Sequence, residues 1–258
     1  MSFRYRNKWD SDVVFRGHRF QIGRDLSLYP AVANGGFEEQ ELDALLPRVP
    51  VDAQVWDVGG NIGIYAVLLA DAARDGHVVA FEPVPDSHAR LVGNLERNGV
   101  RNVTVNQVAL SDKDGVAVMA VHADAHGCDQ IGGPVEPGVA ALEVETTSAD
   151  AFQARQGLPD PDVVKVDIEG HEPEFLDGAW GMLSRRKPLL MLEVNPAAWS
   201  ADRYDRWQAT LDKLFGLYGS GQWYQAASHA VVSHVDVHGL EPHAYTLILP
   251  PAAVGVGA

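Results

Sequence analysis

The chain has 258 residues, 46% of them hydrophobic and 21% charged, with 35 Asp and Glu against 20 Lys and Arg and a formal net charge of −15 at pH 7. That is the make-up of a folded protein with material for one good core, and so acidic a chain is a poor sequence-independent binder of nucleic acid, whose grip rests on neutralising phosphates. A single cysteine, Cys128, excludes an internal disulfide framework, the charged N-terminus lacks the apolar run of a secretory signal, and no stretch approaches the ~20 apolar residues of a membrane span. The expectation is a cytoplasmic protein without nucleic-acid or membrane partners, in which Arg4, Arg6 and Lys8 are a solvated N-terminus.

Val13, Val14 and Phe15, then Phe20 and Ile22, read as two short strands around Arg16-Gly17-His18, and residues 38–46 have helical spacing, with Leu42, Leu45 and Leu46 on one face before Pro47. Residues 1–50 are therefore expected to form a small lid or flap. A repeating strand–helix pattern follows: strand 54–58, helix 62–73, strand 78–82, helix 85–98 stopped by Asn98-Gly99, and strand 103–108. Residues 116–121 and 141–147 alternate like paired strands and flank a Gly-, Pro- and His-rich loop at 122–138, long enough to serve as a lid. Strand 162–168, helix 172–183, strand 189–194 and helix 204–218 complete the pattern. Two last strands, at Trp223-Tyr224 and 245–249, are expected to pair antiparallel through the 231–241 segment. The fold class is α/β, a mostly parallel Rossmann-like sheet with an antiparallel last strand, in one domain over 51–250 with a frayed tail at 251–258.

In such sheets ligands sit at the carboxyl ends of the strands. That rule selects Asp57 with its turn, Glu82, the 107–112 segment, Asp167 with Glu169, and Glu193 with Asn195, each placed where an apolar strand gives way to polar residues. Val55-Trp56-Asp57-Val58-Gly59-Gly60-Asn61-Ile62-Gly63 is a strand running into a glycine-rich turn, and Glu82 ends the next strand, where an acid can hold both ribose hydroxyls of a nucleotide. Val58 stands where the first glycine of G-x-G-x-x-G would fall, and no Tyr-x-x-x-Lys pair follows, so a nicotinamide-dependent oxidoreductase is the weaker reading. Asp57 before the turn suits a ligand with cationic groups, such as the ammonium of S-adenosylmethionine.

Asp57-Val58-Gly59-Gly60-Asn61-Ile62-Gly63, Ala80-Phe81-Glu82-Pro83, Ala109-Leu110-Ser111-Asp112, Lys165-Val166-Asp167-Ile168-Glu169-Gly170-His171-Glu172 and Leu192-Glu193-Val194 together resemble the FkbM-family methyltransferases. The resemblance covers about residues 54–196, and its most specific piece is the F-E-P strand end combined with K-V-D-I-E-G-x-E. Gly60 stands where the family commonly has alanine, and His171 where it commonly has a small residue. The resemblance implies a class I methyltransferase fold, S-adenosyl-L-methionine as donor and a hydroxyl of a small molecule, sugar or natural product as acceptor. By motif position Asp57, Gly59, Gly60, Asn61, Gly63, Glu82, Pro83, Ala109, Ser111, Asp112 and Asp167 would bind the cofactor, with Glu82 on the ribose and residues 107–112 beside the adenine.

Transfer to a neutral alcohol needs a base, and the candidates are His126, His171, Asp167, Glu169 and Glu193; a histidine titrates nearest neutrality without assistance. His122-x-x-x-His126-x-Cys128-Asp129 offers zinc-type ligands, and Asp160, Asp162, Asp167, Glu169 and Glu172 offer magnesium-type ones. Both sets read first as a lid and as strand flanks and caps, and no metal is expected. Trp199, Trp207, Trp223, Tyr204 and Tyr224 read as core before acceptor pocket. The remaining alternatives are an N-methyltransferase acting on an amine and a non-catalytic cofactor-binding protein; a homodimer is compatible with the sequence.

Overall fold

The computed structural model describes residues 12–251 except 24, 27, 123–127, 134, 136–138 and 226–227. In chain order the strands are β1 (Val13–Phe15), β2 (His18–Phe20), β3 (Gln54–Val58), β4 (His77–Phe81), β5 (Val103–Asn106), β6 (Ala109–Ser111), β7 (Gly115–His122), β8 (Gln130–Ile131), β9 (Val139–Ser148), β10 (Val163–Val166), β11 (Leu189–Val194), β12 (Gly221–Gln225), β13 (Ser228–Val232) and β14 (Tyr245–Leu249). The helices are α1 (Leu28–Ala33), α2 (Glu39–Leu45), α3 (Ile64–Ala72), α4 (Pro85–Arg97), α5 (Ala149–Gln156), α6 (Glu172–Gly178), α7 (Trp180–Arg186) and α8 (Tyr204–Tyr218).

The main sheet has eight strands in the order β13-β12-β14-β11-β10-β3-β4-β5. The five from β11 to β5 are parallel, and β14, β12 and β13 each pair antiparallel with their neighbours. β3 leads outward to β4 and β5 on one side, and the chain returns on its other side through β10 and β11, so the order reverses between β3 and β10. That is the switch point at which open α/β sheets bind ligands. A smaller sheet, β6-β9-β7-β8, lies beside it, and β1–β2 form a hairpin.

Strand alternation sends neighbouring side chains to opposite faces. Val55, Val78, Ala80, Val163, Leu189 and Met191 pack on one face with the apolar helix α3, with Leu91 and Leu95 of α4, and with Phe15, Phe20, Val32, Leu42 and Leu45 from the N-terminal segment. Trp56, Val58, Phe81, Val164, Val166, Leu190 and Leu192 pack on the other with residues of α5, α6, α7 and α8. Glycine sets one of the close approaches. A Cβ on Gly178 would lie 1.9 Å from the Ser111 carbonyl oxygen, which fits the place where the expected 172–183 helix divides into α6 and α7 at Ala179.

Three further expectations are corrected. Helices α1 and α5 occupy segments read as connections. The C-terminal antiparallel pair is three strands, because β13 forms a hairpin with β12 and takes the sheet edge. The 122–138 segment carries β8, which pairs with β7 at Met119 and Ala120. The zinc candidate His126 and the basic Arg4, Arg6 and Lys8 lie outside the described residues.

Trp56, 1% exposed, packs at 5.1 Å from the Phe81 ring and 6.2 Å from Phe152, joining β3 and β4 to α5. Trp56→Ala is expected to cost about 3–5 kcal/mol of unfolding free energy; a urea-denaturation loss below 1 kcal/mol would show that this ring cluster is not a structural centre.

Candidate active site

A cavity of about 300 Å³ opens at the carboxyl ends of β3, β4, β10 and β11. Register places its acids. Val166 pairs with Leu192, so the next residues, Asp167 and Glu193, leave adjacent strands side by side. Val58 pairs with Phe81, which sets Gly59 beside Glu82. Lys165 pairs with Asp57 across β10 and β3, so an ammonium and a carboxylate share one face just under the tips.

Lys165 is only 2% exposed. Its Nζ donates to the Gly59 carbonyl at 2.9 Å and lies 3.3 Å from Asp167 Oδ2, 3.7 Å from Asp57 Oδ1 and 4.9 Å from the centre of the Tyr65 ring. Burial acts against this charge, but Asp167, Asp57 and Glu38 outweigh it and hold the lysine pKa above its ordinary value. Asp57 is fully buried with no hydrogen bond to either oxygen, and burial raises its pKa to about 6 against the pull of Lys165.

The glycine turn is built for close approach. Gly59 has φ +80°, and a Cβ there would lie 1.9 Å from the Asp167 carbonyl oxygen; a Cβ on Gly60 would lie 2.7 Å from Leu91 Cδ1. The Gly59 and Gly60 amides both donate to the Phe81 carbonyl, at 3.1 and 2.9 Å. Glu82, 6% exposed, ties the turn to β4 by accepting from the Asn61 amide on Oε2 and the Val84 amide on Oε1, each at 2.8 Å. A carboxylate offers about four lone-pair sites, so two acceptor positions stay open toward the cavity that Glu82 lines. Burial lifts its pKa to about 7. Asn61, at φ +46°, also lines the cavity, with its Oδ1 buried and lacking a partner.

Of the expected cofactor residues, Gly59, Gly60, Asn61, Glu82, Pro83, Ala109 and Asp167 line the cavity. Asp57 and Gly63 lie beneath the turn. Ser111 and Asp112 stand apart from the cavity: Ser111 Oγ meets His171 Nε2 at 2.9 Å, and Asp112 is exposed. Val108, Ala109 and Leu110 form the apolar wall in that direction.

Among the base candidates, Asp167, Glu169, Glu193 and His171 line the cavity together. His171 Nε2 meets Ser111 Oγ at 2.9 Å, its Nδ1 lies 3.6 Å from Glu174, and burial lowers its pKa. Glu169 sits at φ +55°, and burial with Asp167 nearby raises its pKa to about 9. Glu193 is raised well above the ordinary range by burial and by Asp167. Glu172 Oε1 accepts from the Ile168 and Gly170 amides, at 2.9 and 3.3 Å, and so braces the turn that carries Asp167 and Glu169.

The magnesium-type set is divided. Asp160 and Asp162 pair with Arg185 and Arg186 at the opposite end of β10, whereas one ligand oxygen each from Asp167, Glu169 and Glu193 lie within 4.8 Å of one another. In the zinc-type set, His122 Nδ1 lies 3.3 Å from Asp129, and Cys128 is exposed. Trp207, Trp223 and Tyr224 are core residues, and Trp199 stacks on Trp207 at 4.6 Å.

Two residues of the cavity wall lie outside the sequence expectations. The motif pattern assigns Lys165 no role, although a lysine inside the apolar run Val163-Val164-Lys165-Val166 signals a buried, paired charge. Glu38 lines the cavity from the start of α2, accepts from the Tyr65 hydroxyl at 2.5 Å, and has a pKa raised to about 7 by burial and Asp167.

Residues 57–215, more than half of the chain, match the family described as the methyltransferase FkbM domain, and the chain belongs to that family. It is similar to the hexuronic acid methyltransferase AglP of Haloferax volcanii, 31% identical over 141 residues, covering 55% of this chain and 56% of that protein. It is 24% identical over 203 residues to Methyltransferase 1 of Beauveria bassiana, covering 77% of this chain and 71% of that one. A 72-residue match at 43% identity, covering 28% of this chain and 27% of the relative, links it to the 31-O-demethyl-FK506 methyltransferase FkbM of Streptomyces tacrolimicus. The chain thus spans about half the length of AglP. No helix among the described residues is long and apolar enough to cross a membrane.

Asp57, Glu38, Glu82 and Glu172 all have pKa values raised to about 6 or 7, against roughly 4 when unfolded. The native chain therefore holds more protons than the unfolded one between about pH 5 and 8, and stability falls as pH rises through the folded values. His88 and His171, lowered by burial, act in the opposite sense but are fewer. The protein without ligand is expected to melt at a higher temperature at pH 6 than at pH 8, with a smaller difference in Glu82→Gln; an equal or higher melting temperature at pH 8 would contradict these shifts.

Proposed function

We propose that the protein is an S-adenosyl-L-methionine-dependent O-methyltransferase acting on a hydroxyl of a small molecule, sugar or natural product. The observation that carries this reading is Glu82, whose carboxylate fastens the glycine turn through two backbone amides and keeps acceptor capacity toward the cavity. The residues present suit that cofactor. The turn leaves no room for a Cβ at Gly59, Asn61 Oδ1 is buried without a partner, and acids rather than arginines line the wall, as a ligand with sulfonium and ammonium groups requires. Glu82 would hold the ribose hydroxyls, Val108, Ala109 and Leu110 the adenine, and Asn61 with the acids beneath the turn the methionine part.

The cofactor supplies a methyl group already activated on sulfur, so the protein has mainly to orient the acceptor oxygen, exclude water and receive a proton. Alignment of this kind supplies about 7–11 kcal/mol in favourable cases. Leu28, Ala31 and Phe37 close the cavity from the N-terminal side, and we take residues 1–50 as the lid over a catalytic domain at 51–250. The acceptor proton passes to the Asp167 carboxylate on the cavity wall in preference to His171, whose Nε2 meets Ser111 Oγ. AglP, by its name a methyltransferase of a hexuronic acid, supports a sugar acceptor. The same acidic wall favours a second reading, transfer to an amine, because it would draw in an ammonium group.

Calorimetric titration with S-adenosylhomocysteine, with NADH as control, tests the reading. Wild type is expected to bind the former alone. Glu82→Gln, confirmed as folded by its melting curve, is expected to bind at least ~10-fold more weakly, since each hydrogen bond to a charged group contributes about 1.5–3 kcal/mol. Unchanged affinity in the variant, or preference for NADH, would overturn the assignment.

A further inference from the structure

We infer that Glu38, from the N-terminal segment, is the carboxylate that meets the ammonium of the cofactor's methionine part. The inference rests on the S-adenosylmethionine reading and assigns the contact to a residue that no motif marks. Asp57 holds the motif position, but it is fully buried, lies off the cavity wall and faces Lys165 at 3.7 Å. It supplies negative field from below and no hydrogen bond to a ligand. Six acids do line the cavity among the described residues. Glu82 sits at the ribose position, Asp129 comes from the small sheet, where it accepts from the His122 amide at 2.6 Å, and Asp167, Glu169 and Glu193 follow the ends of β10 and β11. Glu38 is the one that reaches the wall from the N-terminal segment, beside Asn61, Ile62, Ile64 and Tyr65, the residues that carry the glycine turn into α3.

The carboxylate is held in place. Its Oε2 accepts from the Tyr65 hydroxyl at 2.5 Å, and the Phe37 ring packs edge-on against the same tyrosine at 6.3 Å. The Glu38 backbone is left-handed, φ +41°, a conformation that a residue other than glycine keeps only where its surroundings impose it. A carboxylate has about four lone-pair sites, so the bond from Tyr65 leaves capacity for an N–H of a ligand. Burial, with Asp167 and Glu41 nearby, lifts the Glu38 pKa to about 7 against the pull of Tyr65 and Lys165, and an arriving ammonium favours the ionised form. The amino-acid end of the cofactor carries its carboxylate and its ammonium on one carbon. The N-terminus of α3 bears partial positive charge suited to the carboxylate, and Tyr65, in the first turn of that helix, holds Glu38 beside it. The two partners of a zwitterion thus stand together, one from α3 and one from the N-terminal segment, so that the segment closes on the methionine part itself.

The test compares two ligands that differ by this one group, without turnover. Calorimetry gives the Kd of S-adenosylhomocysteine and of its desamino analogue, in which hydrogen replaces the amino group, for wild type, Glu38→Gln and Glu41→Gln. Wild type is expected to bind S-adenosylhomocysteine at least ~10-fold more tightly than the analogue, as a charge-assisted hydrogen bond warrants. In Glu38→Gln that ratio should fall to about 2-fold or less, with the affinity for the analogue unchanged, because only the charged contact is lost. Glu41→Gln, on the same helix but off the cavity wall, should keep the wild-type ratio. Equal affinity of wild type for the two ligands, or a Glu38→Gln variant that weakens both alike and keeps the ratio, would overturn the inference while leaving the cofactor assignment standing. Failure of wild type to bind S-adenosylhomocysteine at all would overturn the methyltransferase reading and the inference with it.

Discussion

One ammonium group organises the site. Lys165 Nζ lies under the switch point of the sheet, donating to the Gly59 carbonyl and facing Asp57 and Asp167 from within the core. Without that charge, Asp57 would be a fully buried carboxylate with no compensating group, and Asp167 would stand among Glu38, Glu169 and Glu193 with nothing to balance the crowding. Removing one member of such a buried set leaves the other charge uncompensated, which is why single truncations of buried pairs cost several kcal/mol although the pair as a whole contributes little. The lysine also bonds to the backbone of the glycine turn, so the electrostatic centre and the turn are one mechanical unit.

The rest of the architecture serves this unit. Parallel pairing of β3, β4, β10 and β11 brings four polar strand tips to one edge, while their alternate side chains build two cores on opposite faces. Apolar α3 seats Tyr65 against both Lys165 and Glu38, and that contact draws the N-terminal segment over the cavity. On the other face α6 positions His171 and Glu172 so that the Asp167–Gly170 turn is held from behind, leaving its carboxylates to point into open space. The site is thus lined by acids, an arrangement suited to ligands that bring positive charge.

Much of this was legible in the sequence, and the exceptions have physical causes. Strands β3, β4, β10 and β11 are short apolar runs bounded by turn residues, and α4 and α8 carry clear helical spacing, so their positions followed directly. Helix α1 is six residues long and contains Pro30, and α5 buries Gln153 on the face where an apolar residue would have given it away. The tips holding Glu82, Asp167 and Glu193 could be named from local pattern. Their neighbours could not, because the pairing of Lys165 with Asp57 is a matter of strand register and the approach of Glu38 to Tyr65 is a tertiary contact between residues 27 apart. Ser111 stands apart from the cavity for the same reason: its side chain meets His171, a residue 60 positions away.

The most direct test of the account is the unfolding free energy, by urea denaturation, of Lys165→Met beside Lys165→Met/Asp57→Asn. If the buried ammonium compensates Asp57, the single variant loses about 3–5 kcal/mol and the double variant regains part of that loss, because a neutral amide no longer needs a cation beside it. A single variant within 1 kcal/mol of wild type, or a double variant that is simply the sum of both losses, would contradict the central place given to Lys165.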